Sequence, residues 1–142
     1  MSRAAIHDAI LTDSRMIDFG FDDTSVLPNY DGDQRPSDKM FMVMRWEEDD
    51  TGLQGDDGTI QRGWRHLTIW VHMYREFSTD FNHIDDVLDI LDDLLSGVIN
   101  RSGADGKTVT CVEPEGRSRD LKDDGYQTYC RSATYKIISR VT

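Results

Sequence analysis

The residues best equipped for chemistry in this 142-residue chain are carboxylates and imidazoles, and their spacing limits what they can do. Asp85, Asp86, Asp89, Asp92 and Asp93 crowd one short stretch. A divalent cation needs converging oxygens, and a calcium loop of the EF-hand type needs alternating Asp/Asn, a central glycine and a distant Glu. Neither this stretch nor the acidic run over 47–58 has that spacing. Asp85, Asp89 and Asp92 share a helical face, but nothing in the sequence supplies ligands opposite them. The reading is a solvated acidic face, and no metal site is expected.

The histidines are His7, His66, His72 and His83. His66 and His72 project from the same face of a strand, six residues and about 20 Å apart, too far to share an ion. They read as structural or interface histidines. The chain has no G-x-S-x-G, no phosphate-binding glycine loop and no H-E-x-x-H, so no nucleophile or zinc-hydrolase arrangement is legible. No Asp–His pair has a spacing that forces contact for acid–base work. Catalytic residues, a resident metal and a cofactor are therefore all expected to be absent. Trp64, Trp70 and Tyr74 have the faces to stack a base, but such modules sit in basic grooves and these surroundings are acidic.

Two elements must carry most of these residues. From Trp64 to Arg75 the odd positions Leu67, Ile69, Val71 and Met73 are apolar. The even positions His66, Thr68, Trp70, His72 and Tyr74 also offer large surfaces. This is a strand with something to bury on both faces. After Ser78-Thr79-Asp80 the period changes, and Ile84, Val87, Leu88, Leu91, Leu95 and Val98 fall at helical spacing. A strand so apolar on its second face predicts contact with another subunit.

Around these lie the remaining elements. Residues 2–16 predict a first helix with Ser2 as cap and Ala5, Ile6, Ala9, Ile10 and Met16 as its stripe. Residues 18–39, with Gly20, Pro28, Gly32 and Pro36, predict an irregular connection. Met40–Trp46 predicts a strand joined to the next by an acidic, glycine-rich hairpin tip over 47–63. The second helix should end near Gly97 or Asn100. Thr108–Glu113 predicts a short strand broken at Pro114. Asp124-Gly125 marks a turn, and Tyr126–Val141 a last long strand. The order helix, strand, strand, helix, strand, strand predicts an α+β domain over 1–142. Its sheet is expected to be mostly antiparallel and four-stranded, with two helices packed on one face.

Composition narrows the partners. The chain has 27 acidic and 16 basic residues and a formal charge of −11. Residues 117–142 hold six basic against three acidic side chains; the first 116 hold 10 against 24. An acidic surface argues against specific binding to nucleic acid, which needs clustered Lys and Arg. It suits a wall that repels DNA, or a protein that imitates it. Cys111 and Cys130 fall in separate predicted strands that could be neighbours, and two reduced thiols are the expectation. No apolar run opens the chain as an export signal. Nothing approaches the roughly 20 apolar residues of a membrane span, so no membrane partner is expected.

The sequence of elements resembles a known family. A short first helix and a Pro/Asp-rich link lead to the strand Met40–Trp46. Then comes His66-Leu67-Thr68-Ile69-Trp70-Val71-His72, running through Arg75 and Asp80 into Ile84-Asp85-Asp86-Val87-Leu88-Asp89-Ile90-Leu91. The segment Arg117-Ser118-Arg119-Asp120-Leu121-Lys122-Asp123-Asp124-Gly125-Tyr126 and a final strand close the chain. In this order it is similar to the small tail terminator (tail-completion, head–tail joining) proteins of long-tailed bacteriophages.

The resemblance implies a virion protein at the head-proximal end of the tail, assembled in the host cytoplasm. It implies a homo-oligomeric ring, commonly about six subunits, that caps the major tail tube protein, stops tube growth and presents a docking face to the head–tail connector protein. Genomic DNA would pass through without specific binding. Trp70, His72, Tyr74 and Arg131 are the expected subunit or tube interface. Glu47, Glu48, Asp49, Asp50, Asp56 and Asp57 would line the channel, where like charge keeps DNA from sticking, or would face the tube. The acidic N-terminal part and the basic C-terminal part would offer complementary surfaces to neighbouring copies. Two rival readings remain: an acidic DNA mimic that inhibits a host DNA-binding protein, motivated by Asp85–Asp93 and the net charge, and a metal-dependent enzyme using the Asp clusters.

Overall fold

The computed structural model describes residues 3–28, 35–50 and 62–140. One sheet runs through them. Its spine is a pair of 13-residue antiparallel strands, β3 (Arg62–Tyr74) and β7 (Thr128–Arg140), in unbroken register from Arg62↔Arg140 to Tyr74↔Thr128. β2 (Phe41–Asp50) lies antiparallel on the other side of β3. The two-residue β1 (Val26–Leu27) runs parallel to β2 at that edge. On the far side of β7, β5 (Thr108–Arg117) and β6 (Leu121–Asp123) lie end to end along one edge. β4 (Arg101–Ser102) pairs with the start of β5.

The architecture corrects the four-stranded, two-helix expectation. The sheet has seven strands, and the described residues form three helices. The four long strands are the four expected; the three extra ones are two or three residues long, too short to leave a periodicity. Proline does not end β5 as expected. Pairing slips between Pro114 and Gly116 and continues to Arg117. Pro114 has no N–H to offer. Gly116, at φ +122°, supplies the backbone conformation that lets the strand resume.

The first helix is two. α1 (Arg3–Thr12) buries Ala5, Ile6, Ala9 and Ile10. Asp13 then adopts an extended conformation and caps α2 (Ser14–Asp18), its carboxylate accepting from the amides of Arg15 and Met16. α3 (Asn82–Ser96) buries Ile84, Val87, Leu88, Leu91, Leu94 and Leu95, and ends where the Gly97 amide bonds back to Asp93 and Leu94.

The helices cover one sheet face, where Met42, Met44, Leu67, Ile69, Val71, Met73, Tyr135 and Ile137 meet α1 and α3 in the main core. The alternation read along β3 is what makes this layer. Val43 and Phe41 point the other way, opposite Trp70 and His72. With Leu27, Tyr74 and Tyr126 they form a second, smaller core.

Candidate functional site

The acidic face of α3 is largely paired within the chain. Arginines from the sheet occupy the place where ligands would have to come from. Asp85 meets the Arg131 guanidinium at 2.5 Å, and Arg117 bridges Asp89 at 2.8 Å and Asp92 at 2.7 Å. Asp93 pairs with Arg15, which also holds Asp13. The Tyr135 hydroxyl, from a residue with no exposed surface, donates to Asp92 at 2.6 Å. Burial, reinforced by that carboxylate, holds the Tyr135 phenol well above its usual range. Among the described residues no cluster of His, Cys, Asp or Glu has the geometry to hold a metal ion.

This arrangement redirects the charge argument. Arg117 and Arg131 belong to the basic C-terminal part, and they meet the acids of α3 within one copy. Arg131, expected beside Trp70, instead faces the helices from its position opposite Val71, and its Nε also lies 3.5 Å from Asp120. Trp70, His72 and Tyr74 point to the opposite side.

That opposite side is partly covered by the chain itself. Tyr74 and His72 are buried, and Trp70 is half-buried. The Tyr74 hydroxyl donates to the Pro36 carbonyl, and the Arg35 guanidinium lies 4.5 Å from the centre of the Tyr126 ring. His72 stacks on Phe41 with ring centres 4.8 Å apart and meets the edge of Tyr126 at 5.2 Å. Its Nδ1 is 2.8 Å from the buried Thr128 hydroxyl. The covering pieces, Arg35–Pro36 and the turn between β6 and β7, lie in segments that carry no periodicity in the sequence. Asp124-Gly125 marked the turn but not its return over the sheet.

Beside this cover a cleft of about 220 Å³ is lined by Trp70, His72, Leu121, Lys122, Asp123 and Cys130. It is smaller than the roughly 300–1,000 Å³ of typical small-molecule sites. Burial lowers the pKa of His72 to about 4; nearby Asp123 opposes the shift and Arg35 adds to it. Burial raises the Cys130 thiol to about 11, with Asp123 adding, which leaves it without thiolate character near neutral pH. Cys111 and Cys130 are both free. β5 and β7 are indeed neighbours, but Cys111 faces Ile138 and Cys130 faces Leu121.

The far end of this face is polar. His66 Nδ1 lies 2.6 Å from Glu115, and the Lys136 ammonium sits 4.5 Å over the Trp64 ring. The acidic hairpin begins later than expected, because β2 continues through Asp50, with Asp49 opposite Arg65 and Asp50 opposite Trp64 after a bulge. Glu47 thus sits in a strand, its carbonyl accepting from Arg65 Nε and its carboxylate 3.4 Å from Arg45. The backbones of Glu48, Asp49 and Asp50 belong to the same strand; Asp56 and Asp57 lie outside the described residues. Among the described residues no helix is long and apolar enough to cross a membrane.

Comparison with known proteins finds a likeness of fold and no family. No protein-family model matches the chain, and no curated protein matches its sequence. A solved structure does: a chain of "Virion of native gene transfer agent (GTA) particle" superposes with a TM-score of 0.70. The match covers 98% of this chain and 94% of that one at 10% identity. The likeness therefore spans both chains almost end to end, and at this identity it is a likeness of fold.

Proposed function

We propose that the chain is a structural protein of a phage-like virion, working as a tail terminator: a ring that caps the tail tube, ends its elongation and offers the head connector a docking surface. The observation that carries this reading is the end-to-end fold match to a chain of a virion particle. The order of elements in the sequence points the same way. The mechanism is geometric: ring closure occupies the growing end of the tube and presents a different surface beyond it. No catalytic step and no cofactor enter it. The partners are further copies of the chain, the tube protein and the head connector, and DNA passes through unrecognised.

The DNA-mimic alternative keeps the net charge of −11 but loses part of its support on α3. Four of the five α3 aspartates are paired with Arg15, Arg117 or Arg131 of the same chain, so that surface is no free lattice of carboxylates. The test is assembly. Native mass across a wide concentration range, with purified tube protein added in parallel, is expected to give a ring of several copies or a capped tube. Particles made without this chain are expected to carry tails of uncontrolled length. Normal-length tails in its absence refute the terminator reading.

A further inference from the structure

His72 occupies an unusual place for a titratable group. It stands at the centre of the second core, only 4% exposed, between Phe41 and Tyr126 and bonded to a Thr128 side chain with no exposed surface. Yet the ring also lines the 220 Å³ cleft, which gives water and protons a route to it. Nδ1 is engaged with Thr128, and a second proton makes both ring nitrogens donors. Interactions that hold the cover over the ring include Tyr74 to the Pro36 carbonyl, Arg35 over Tyr126, the Tyr126 amide donating to Asp123 at 2.9 Å, Arg75 to Asp124 at 2.6 Å, and the β6–β7 pairing itself.

We propose that His72 is an acid-sensitive latch on this cover, and that its protonation releases Arg35–Pro36 and the β6–β7 turn, exposing Phe41, Tyr74 and Tyr126. The groups around the ring set the sign. β2 contributes only the apolar ring of Phe41. β3 itself contributes the Tyr74 phenol, and β7 the Cys130 thiol, held neutral. The turn contributes the Tyr126 phenol. The segment before β2 contributes the cationic Arg35, which repels an imidazolium. β6 contributes Asp123, which attracts it, while Lys122 lines the cleft. Burial dominates and the neutral ring is favoured when the cover is closed. An imidazolium is better solvated when the cover lifts, so acid favours the open form. Population of the open form is expected to rise by roughly a hundredfold from neutral pH to about pH 4. The uncovered surface is aromatic and continuous with Trp70, the kind that binds a partner.

The test follows His72 and the cover together in the full chain. NMR titration of the imidazole ring protons, assigned with His72→Asn, gives the ring's own titration. Hydrogen exchange at Tyr126 and at the Leu121–Cys130 pairing reports the cover over pH 7 to 4. Asn is chosen because it can keep a hydrogen bond to Thr128 and does not titrate. Expected is a loss of cover protection that tracks His72 protonation in the wild type and is absent over this range in His72→Asn. Opening that proceeds unchanged in His72→Asn overturns the proposal. So does a wild-type His72 that titrates near its ordinary 6.5 while the cover stays protected, a result that needs no variant to fold.

Discussion

Replacing Asp92 by alanine removes the one carboxylate that serves both the fully buried Tyr135 hydroxyl and the Arg117 guanidinium. The phenol is left without an acceptor in the layer between α3 and the sheet, which costs about 1–3 kcal/mol. Arg117 keeps Asp89, so its loss is that of a half-exposed pair, about 0–1 kcal/mol. The sum is about 1–4 kcal/mol. Asp93, the next residue on the same helix, pairs with Arg15 through a side chain 72% exposed, and its alanine variant is expected to cost no more than about 1 kcal/mol. Urea unfolding at dilute protein reads both as midpoint shifts at constant slope. Tyr135→Phe supplies the control. In that background no buried hydroxyl is stranded, and Asp92→Ala becomes cheaper by about 1–2 kcal/mol. If Asp92→Ala costs no more than Asp93→Ala, or costs the same with Phe at 135, the interlayer bond is not what holds this helix.

Three further outcomes are expected. Leu88→Asp puts a carboxylate at a position with no exposed surface between α3 and the sheet, and loss of the folded state by circular dichroism checks it. Trp70→Ala, at a half-buried position, is expected to weaken self-association or tube capping about tenfold or more while costing the monomer under about 2 kcal/mol. A monomer destabilised as severely as by a main-core substitution refutes the interface role. Stability is also expected to fall as pH drops from about 6.5 to about 4. The His72 pKa is depressed in the folded chain, so the unfolded chain binds more protons throughout that window. The full loss is about 3 kcal/mol, and denaturant midpoints of wild type and His72→Asn compared at pH 7 and pH 4 measure it.

The layer plan was legible because it rests on period. Leu67, Ile69, Val71 and Met73 alternate, and Ile84, Val87, Leu88 and Leu91 repeat at 3.6, so a helix on one face of a sheet follows from local chemistry alone. The four long strands follow in the same way. Elements of two or three residues, such as β1, β4 and β6, carry no period, and only pairing with a long neighbour holds them in place. The division of the first helix at Asp13 was equally hidden, since an aspartate reads as an ordinary helix residue until its carboxylate is seen to cap the next turn.

What the sequence determined by itself was therefore which surfaces are apolar and where charge concentrates. It marked the second face of β3 as one that must be covered, and it marked α3 as a ridge of carboxylates. Only the tertiary structure decided who meets them. Arg117 and Tyr135 reach Asp92 across 25 and 43 residues of chain. Pro36 and Tyr126 close over His72 and Tyr74 from segments with no pattern of their own. Periodicity records the need to bury or to pair a face. The partner is chosen by which distant segments the sheet register brings alongside, and that information is not local.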